Sequence, residues 1–97
     1  MKVVFRKEFK LEVDMEDLMN ECIDRLEWAR RRAARGLYTP CGDLEFLVQE
    51  SLGYIYDIDL YDYDNTNEIV TVIAKNLLLW CVEHNFLEEY NRLEKMN

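Results

Sequence analysis

Residues Glu68 to Val82, EIVTVIAKNLLLWCV, decide how this chain folds. Between Ile69 and Val82 only Thr71, Lys75 and Asn76 interrupt a run of apolar side chains. Wound into a helix, those side chains point in nearly every direction around the axis. A helix at a protein surface carries a stripe, and one that is apolar all round has to be covered on most sides. The stretch is therefore expected to be the buried central helix of the fold. A buried strand is the competing reading, because Ile69-Val70-Thr71-Val72-Ile73 is β-branched and a short apolar run does not separate the two. Two features favour the helix. Asn65, followed three residues later by Glu68, has the form of an N-cap with its capping-box partner. Beyond Ala74 come the good helix formers Leu77, Leu78 and Leu79, and neither Gly nor Pro follows. The run of 14 residues is shorter than the roughly twenty that span a bilayer.

The rest of the composition fits a small globular protein. A chain of 97 residues makes one domain, residues 1–97, with one modest core. Half of it is hydrophobic and a third charged, which excludes a disordered chain. Met1 to Val13 carries charges throughout and has no apolar run of secretory-signal length. Cys22, Cys41 and Cys81 are odd in number and widely spaced, which argues against a disulfide framework and for reduced thiols in the cytoplasm, the host's cytoplasm if a phage encodes the chain. The net charge of −8 is lopsided: residues 1–40 carry 9 Lys and Arg against 8 Asp and Glu, residues 41–97 carry 3 against 12. The acidity belongs to the second half.

Working outward from the central stretch gives the remaining elements. From Val3 to Val13 apolar and polar residues alternate as in a strand with one buried face, with Lys7 marking a break or bulge. Asp14, with Asp17 three residues on, opens a helix whose stripe runs Met15, Leu18, Met19, Cys22, Ile23, Leu26, Ala29, Ala33, Leu37. Acidic residues crowd its start, Arg30, Arg31, Arg32 and Arg35 crowd its end, and Gly36 stops it. Thr39-Pro40 suits an N-cap followed by proline in the first turn, so a short second helix is expected to start there and run through Leu44, Leu47, Val48 and Leu52 to a stop at Gly53; its weak point is Gly42, which offers Asp43 as a later start. Tyr54 to Leu60 alternates again and reads as strand two, with Tyr61 to Asn65 as an acidic turn into the central helix. If the strands pair, Arg6 and Lys10 oppose Asp57 and Asp59. Glu83-His84-Asn85 ends or bends the central helix, and Phe86, Leu87, Tyr90 and Leu93 form a last amphipathic piece with a Glu88–Arg92 pair.

The expected fold class is thus α+β, in the order β-α-α-β-α, with a buried central C-terminal helix and a small sheet of two or three strands. Two strands rarely make a stable sheet, so either a further strand or hairpin lies within Met1 to Val13, or an edge pairs with a second copy or a partner.

Chemistry is sparse in these residues. His84 is the only histidine, nothing around Cys22, Cys41, Cys81 or Ser51 looks like an activated nucleophile, and Gly36, Gly42 and Gly53 form no phosphate-cradling loop. The chain reads as non-enzymatic and without a cofactor. Asp57, Asp59 and Glu68 fall at the first, third and twelfth places of an EF-hand loop, but Tyr61 stands where an oxygen ligand belongs and Asp62 where Gly makes the turn, so the calcium motif fails. Cys81 and His84 share a helix face, and with Cys22 and Cys41 would make a Cys3His zinc set, unsupported by any Cys-x-x-Cys knuckle. The arginine cluster with Trp28 and Tyr38 could grip phosphates and bases, yet arginine is favoured at a helix C-terminus anyway and the net charge disfavours direct nucleic-acid binding.

What remains is the acidic tract. Asp57, Asp59, Asp62, Asp64 and Glu68, with Tyr61 and Tyr63 among them, suit a partner protein with a basic surface. In size and composition the chain resembles the small acidic inhibitors of phages and mobile elements, including nucleic-acid mimics and anti-CRISPR proteins; that resemblance rests on no motif. It implies a binding factor that blocks a basic, nucleic-acid-binding site. The alternatives are a structural or regulatory homodimer, for which the charge serves only solubility, and the Cys3His zinc protein.

Overall fold

Alternation at the N-terminus builds a hairpin rather than one strand. In the computed structural model, which describes residues 1–5, 9–37, 42–60 and 65–96, β1 (Lys2–Val4) lies antiparallel to β2 (Lys10–Glu12). Lys2 faces Glu12, Val3 faces Leu11 and Val4 faces Lys10. The odd positions Val3, Phe5, Leu11 and Val13 are buried while Lys2, Val4, Lys10 and Glu12 are exposed, so the period of two keeps its phase on both arms. Backbone bonds extend the pairing, from Phe5 N–H to the Phe9 carbonyl at 3.0 Å and from the Met1 amino group to the Val13 carbonyl at 2.9 Å.

Four helices complete the described residues. α1 (Met15–Ala34) begins at Asp14, whose carboxylate accepts from the Asp17 N–H at 3.0 Å, and its acidic first turn and basic last turn complement the helix dipole. It ends at Gly36, which takes the left-handed φ of 76° that the stop requires. α2 (Leu44–Tyr56) starts at Asp43, which accepts from the Phe46 N–H at 2.8 Å. Gly42 holds φ 65° against the Phe46 ring, 2.7 Å from where a Cβ would stand. Thr39 and Pro40 lie outside the described residues. α3 (Thr66–Glu83) and α4 (Leu87–Glu94) are separated by His84 to Phe86, with Asn85 at φ 66°.

The second predicted strand is the main correction. Tyr54 to Tyr56 continue α2, and the order is β-β-α-α-α-α. Leu44, Leu47, Val48, Ser51, Leu52, Ile55 and Tyr56 face inward at spacings of three and four, and this longer period overrides the short alternation beginning at Tyr54. Gly53 does not stop the helix. Asp57 does, at φ 52°, and Gly53 instead permits the close return that brings the Ile58 N–H to its carbonyl at 3.2 Å. Without the strand, the pairing predicted for Arg6 and Lys10 with Asp57 and Asp59 has no basis: Lys10 pairs within the hairpin and Arg6 lies outside the described residues.

The capping box is the second correction. Asn65 makes no side-chain cap bond to α3; its amide donates to the Val4 carbonyl at 3.1 Å and ties the helix start to the hairpin. The Thr66 hydroxyl donates to the Leu60 carbonyl, and the Tyr56 hydroxyl accepts from the Asp14 N–H at 2.8 Å. These three bonds tie the start of α3 to the hairpin and to the return loop, and the end of α2 to the start of α1. On α1 the apolar stripe holds through Ala29, but Ala33 and Leu37 are exposed.

All six elements contribute to one core, with Val3 and Phe5 from the hairpin, Leu18 and Cys22 from α1, Val48 and Leu52 from α2, Ile73 and Leu77 from α3 and Leu93 from α4. The central helix is covered on one side only. Thr66, Val70, Ile73, Ala74, Leu77 and Cys81 are buried, whereas Val72 (48%), Leu79 (60%) and Val82 (48%) remain exposed. α1, α2 and α4 pack against α3, and the outer side around Leu79 is bordered by Tyr90 of α4 on one flank and by Met1 and Met15 on the other.

Candidate functional site

The carboxylates expected along a strand are placed instead where α2 ends and α3 begins. Asp57 occupies the left-handed C-cap of α2, Asp59 follows in the return loop, and Glu68 stands in the first turn of α3; all three are exposed. Tyr61, Asp62, Tyr63 and Asp64 lie outside the described residues. Asp57 and Asp59 line one groove of about 540 Å³ together with Arg25, Glu50 and Tyr54, and Glu68 is not part of it.

A second groove of similar size continues along α1, lined by Glu21, Asp24, Arg25, Glu27, Trp28 and Arg31. Arg25 belongs to both. Its Nε donates to the Glu21 carboxylate at 3.1 Å, and its guanidinium lies 5.3 Å from the centre of the Tyr54 ring. Arg32 makes the same kind of contact with Trp28, at 4.9 Å. Tyr54 (70%) and Trp28 (50%) are nonetheless exposed aromatics set among carboxylates. Of the residues on this side of α1, Trp28 and Arg31 were singled out in the sequence as part of the arginine cluster, whereas Glu21, Asp24 and Arg25 were not. The signal was present, since these residues recur at spacings of three and four on the polar side.

Arg30, Arg31 and Arg35 make no ion pair among the described residues. The bridge between the halves is Arg92, whose guanidinium meets Glu27 of α1 at 2.8 Å and Glu88 of α4 at 2.7 Å.

The thiols are core groups. Cys22 is fully buried and its Sγ donates to the Ser51 hydroxyl at 3.4 Å; burial pushes its pKa up to about 12, partly opposed by the Ser51 bond. Cys81 is likewise buried and is raised to about 11 by burial and by the nearby Glu89. Burial thus favours the protonated form of both, and a protonated thiol is a poor nucleophile. His84 is on the outside, stacked on Trp80 at 4.3 Å with Nδ1 2.9 Å from the Trp80 carbonyl. Cys81 and His84 therefore do not converge, and among the described residues no group of three or more metal-binding side chains is placed to hold an ion. Cys41, the remaining member of the zinc set, lies outside them.

The outer side of α3 forms a third feature, an apolar groove of about 410 Å³ lined by Lys75, Leu78, Leu79, Val82, Glu83 and Tyr90. No described helix is long and apolar enough to cross a membrane. Comparison with known protein families, with curated proteins and with solved structures finds no match to this chain.

Proposed function

We propose that the chain is a non-enzymatic binding factor that occupies a basic surface on a partner protein through the two grooves beside α1 and α2. The observation that carries this reading is the exposed pair Trp28 and Tyr54 standing among Glu21, Asp24, Glu27, Glu50, Asp57 and Asp59. A lysine or arginine entering there meets both a carboxylate and an aromatic face, the environment the chain's own Arg25 already occupies between Glu21 and Tyr54. A partner that normally grips phosphates offers such cations, and blocking them would be steric and electrostatic competition. The buried, protonated thiols and the single outward-stacked histidine support the non-catalytic half of the reading.

The test is capture of partners from a cell lysate by the tagged wild type and by the triple variant Asp24→Lys, Asp57→Asn, Asp59→Lys, washed at low and high salt. A nucleic-acid-binding protein retained by the wild type, lost by the variant and released by salt is the expected result, because surface charges are screened within about 8 Å at physiological ionic strength. Identical retention by both proteins would overturn it.

A further inference from the structure

The outer side of α3 is a separate surface that shares no residue with the acidic grooves, and its pattern is self-complementary. Leu79 is the most exposed apolar residue on it, and Val72 and Val82 flank it along the helix. Lys75 lies four residues before Leu79 and Glu83 four residues after, both exposed. Four residues of α-helix advance about 6 Å along the axis and turn about 40° past a full revolution, so the two charges sit at equal distances from Leu79 and on opposite sides of its line. A two-fold axis perpendicular to both helices and lying between the copies beside Leu79 reverses heights along α3, so Lys75 of one copy stands at the level of Glu83 of the other, across the seam. It brings each Lys75 against the other copy's Glu83 while the two Leu79 side chains meet at the centre.

We propose that this face binds a second copy of the same chain, α3 against α3 antiparallel, with the two-fold axis at Leu79. A closed two-fold interface requires one patch to complement itself, and this patch does so in both shape class and charge. Charge also fixes the register. An axis moved to Lys75 would set two ammonium groups face to face, a like-charge contact of the kind that suppresses wrong pairings. Asn76, beside the seam, already donates one amide N–H to the Val72 carbonyl at 2.8 Å, so that donor enters the interface satisfied. The apolar groove between Leu78, Leu79 and Tyr90 supplies the remaining contact area, with α4 as a shoulder against the incoming helix.

Sedimentation of the full chain over about 1–300 µM reads the equilibrium directly. The wild type is expected to pass from monomer to dimer over that range, and Leu79→Glu to stay a monomer with an unchanged circular dichroism spectrum. Lys75→Glu and Glu83→Lys should each weaken the dimer about tenfold, since each turns two attractive contacts into repulsive ones. The double variant Lys75→Glu, Glu83→Lys should return to within about threefold of the wild type, because the swapped pair restores both contacts. A wild type that remains a monomer throughout, or a dimer indifferent to Leu79→Glu, would overturn the proposal. So would a double variant as weak as the sum of its two single changes.

Discussion

Both sides of α3 carry apolar side chains, in opposite circumstances. Val70, Ile73 and Leu77 are buried where α1, α2 and α4 pack on α3, while Val72, Leu79 and Val82 face outward. The hydrophobic effect acts on area removed from water, not on residue identity, so only the inner side contributes to the stability of an isolated chain. An apolar outer side then has to be explained by something other than folding. A long apolar run therefore does not fix how much of a helix its own chain buries, since Lys75, Asn76 and Glu83 share the outer side with Val72, Leu79 and Val82.

The comparison breaks most visibly at Leu77. Leu77→Ala removes a fully buried side chain from the centre of the core and should cost about 2–5 kcal/mol, enough to threaten folding of a domain this small. Chemical denaturation measures it, and a loss no larger than that of an exposed residue would show that the inner side does not hold the fold. Leu79→Ser on the outer side should change monomer stability by less than about 0.5 kcal/mol at concentrations where no dimer forms.

Between these extremes, Cys22 sharpens the inner side through pH. Its thiol ionises near 9 in an unfolded chain but only near 12 in the folded core. Above pH 9 the unfolded state therefore loses a proton that the native state keeps, and stability falls with rising pH until about 12. The slope is about 1.4 kcal/mol per unit. Because tyrosines and lysines titrate in the same range, the comparison is with Cys22→Ala, whose stability should decline less steeply from pH 9 to 11. Equal slopes would place the thiol in contact with water.

Smaller still is the effect at the helix starts. Asp14→Ala and Asp43→Ala each remove a carboxylate that accepts a backbone N–H, and should cost about 1 kcal/mol. Asn65→Ala removes no cap of its own helix; its effect should instead appear as faster amide exchange around Val4, whose carbonyl loses its partner. Equal thermal shifts with no change at the hairpin would count against that assignment.

How much of this was legible in the residues follows the same division. The alternation of Val3 to Val13, the Asp14 cap and the Glu88–Arg92 pair were all readable, because each depends on neighbours within a few positions, whereas Asp43 entered only as a later start to a helix expected at Thr39-Pro40. Tyr54 to Leu60 was misread for the same reason. Its local alternation looks like a strand, and only the packing of Ile55 and Tyr56 on the core, with Tyr56 held by the Asp14 N–H, keeps it helical to Asp57. Asn65 was read as a local cap when its partner lies 61 residues away at Val4. For the site, Asp57 and Asp59 were found from composition, but their company of Glu21, Asp24 and Trp28 comes from the packing of α1 beside α2, which no local pattern encodes.

The outer side of α3 is tested most directly by a cysteine placed on its axis. Under mild oxidation Leu79→Cys should form a covalent dimer readily, because a two-fold axis beside that position sets the two sulfurs within disulfide reach. Val72→Cys, about 10 Å along the helix, should not form it at a comparable rate. Rapid cross-linking at Leu79→Cys alone is the expected result, and equal cross-linking at both positions, or none at either, would contradict an α3 pairing centred there.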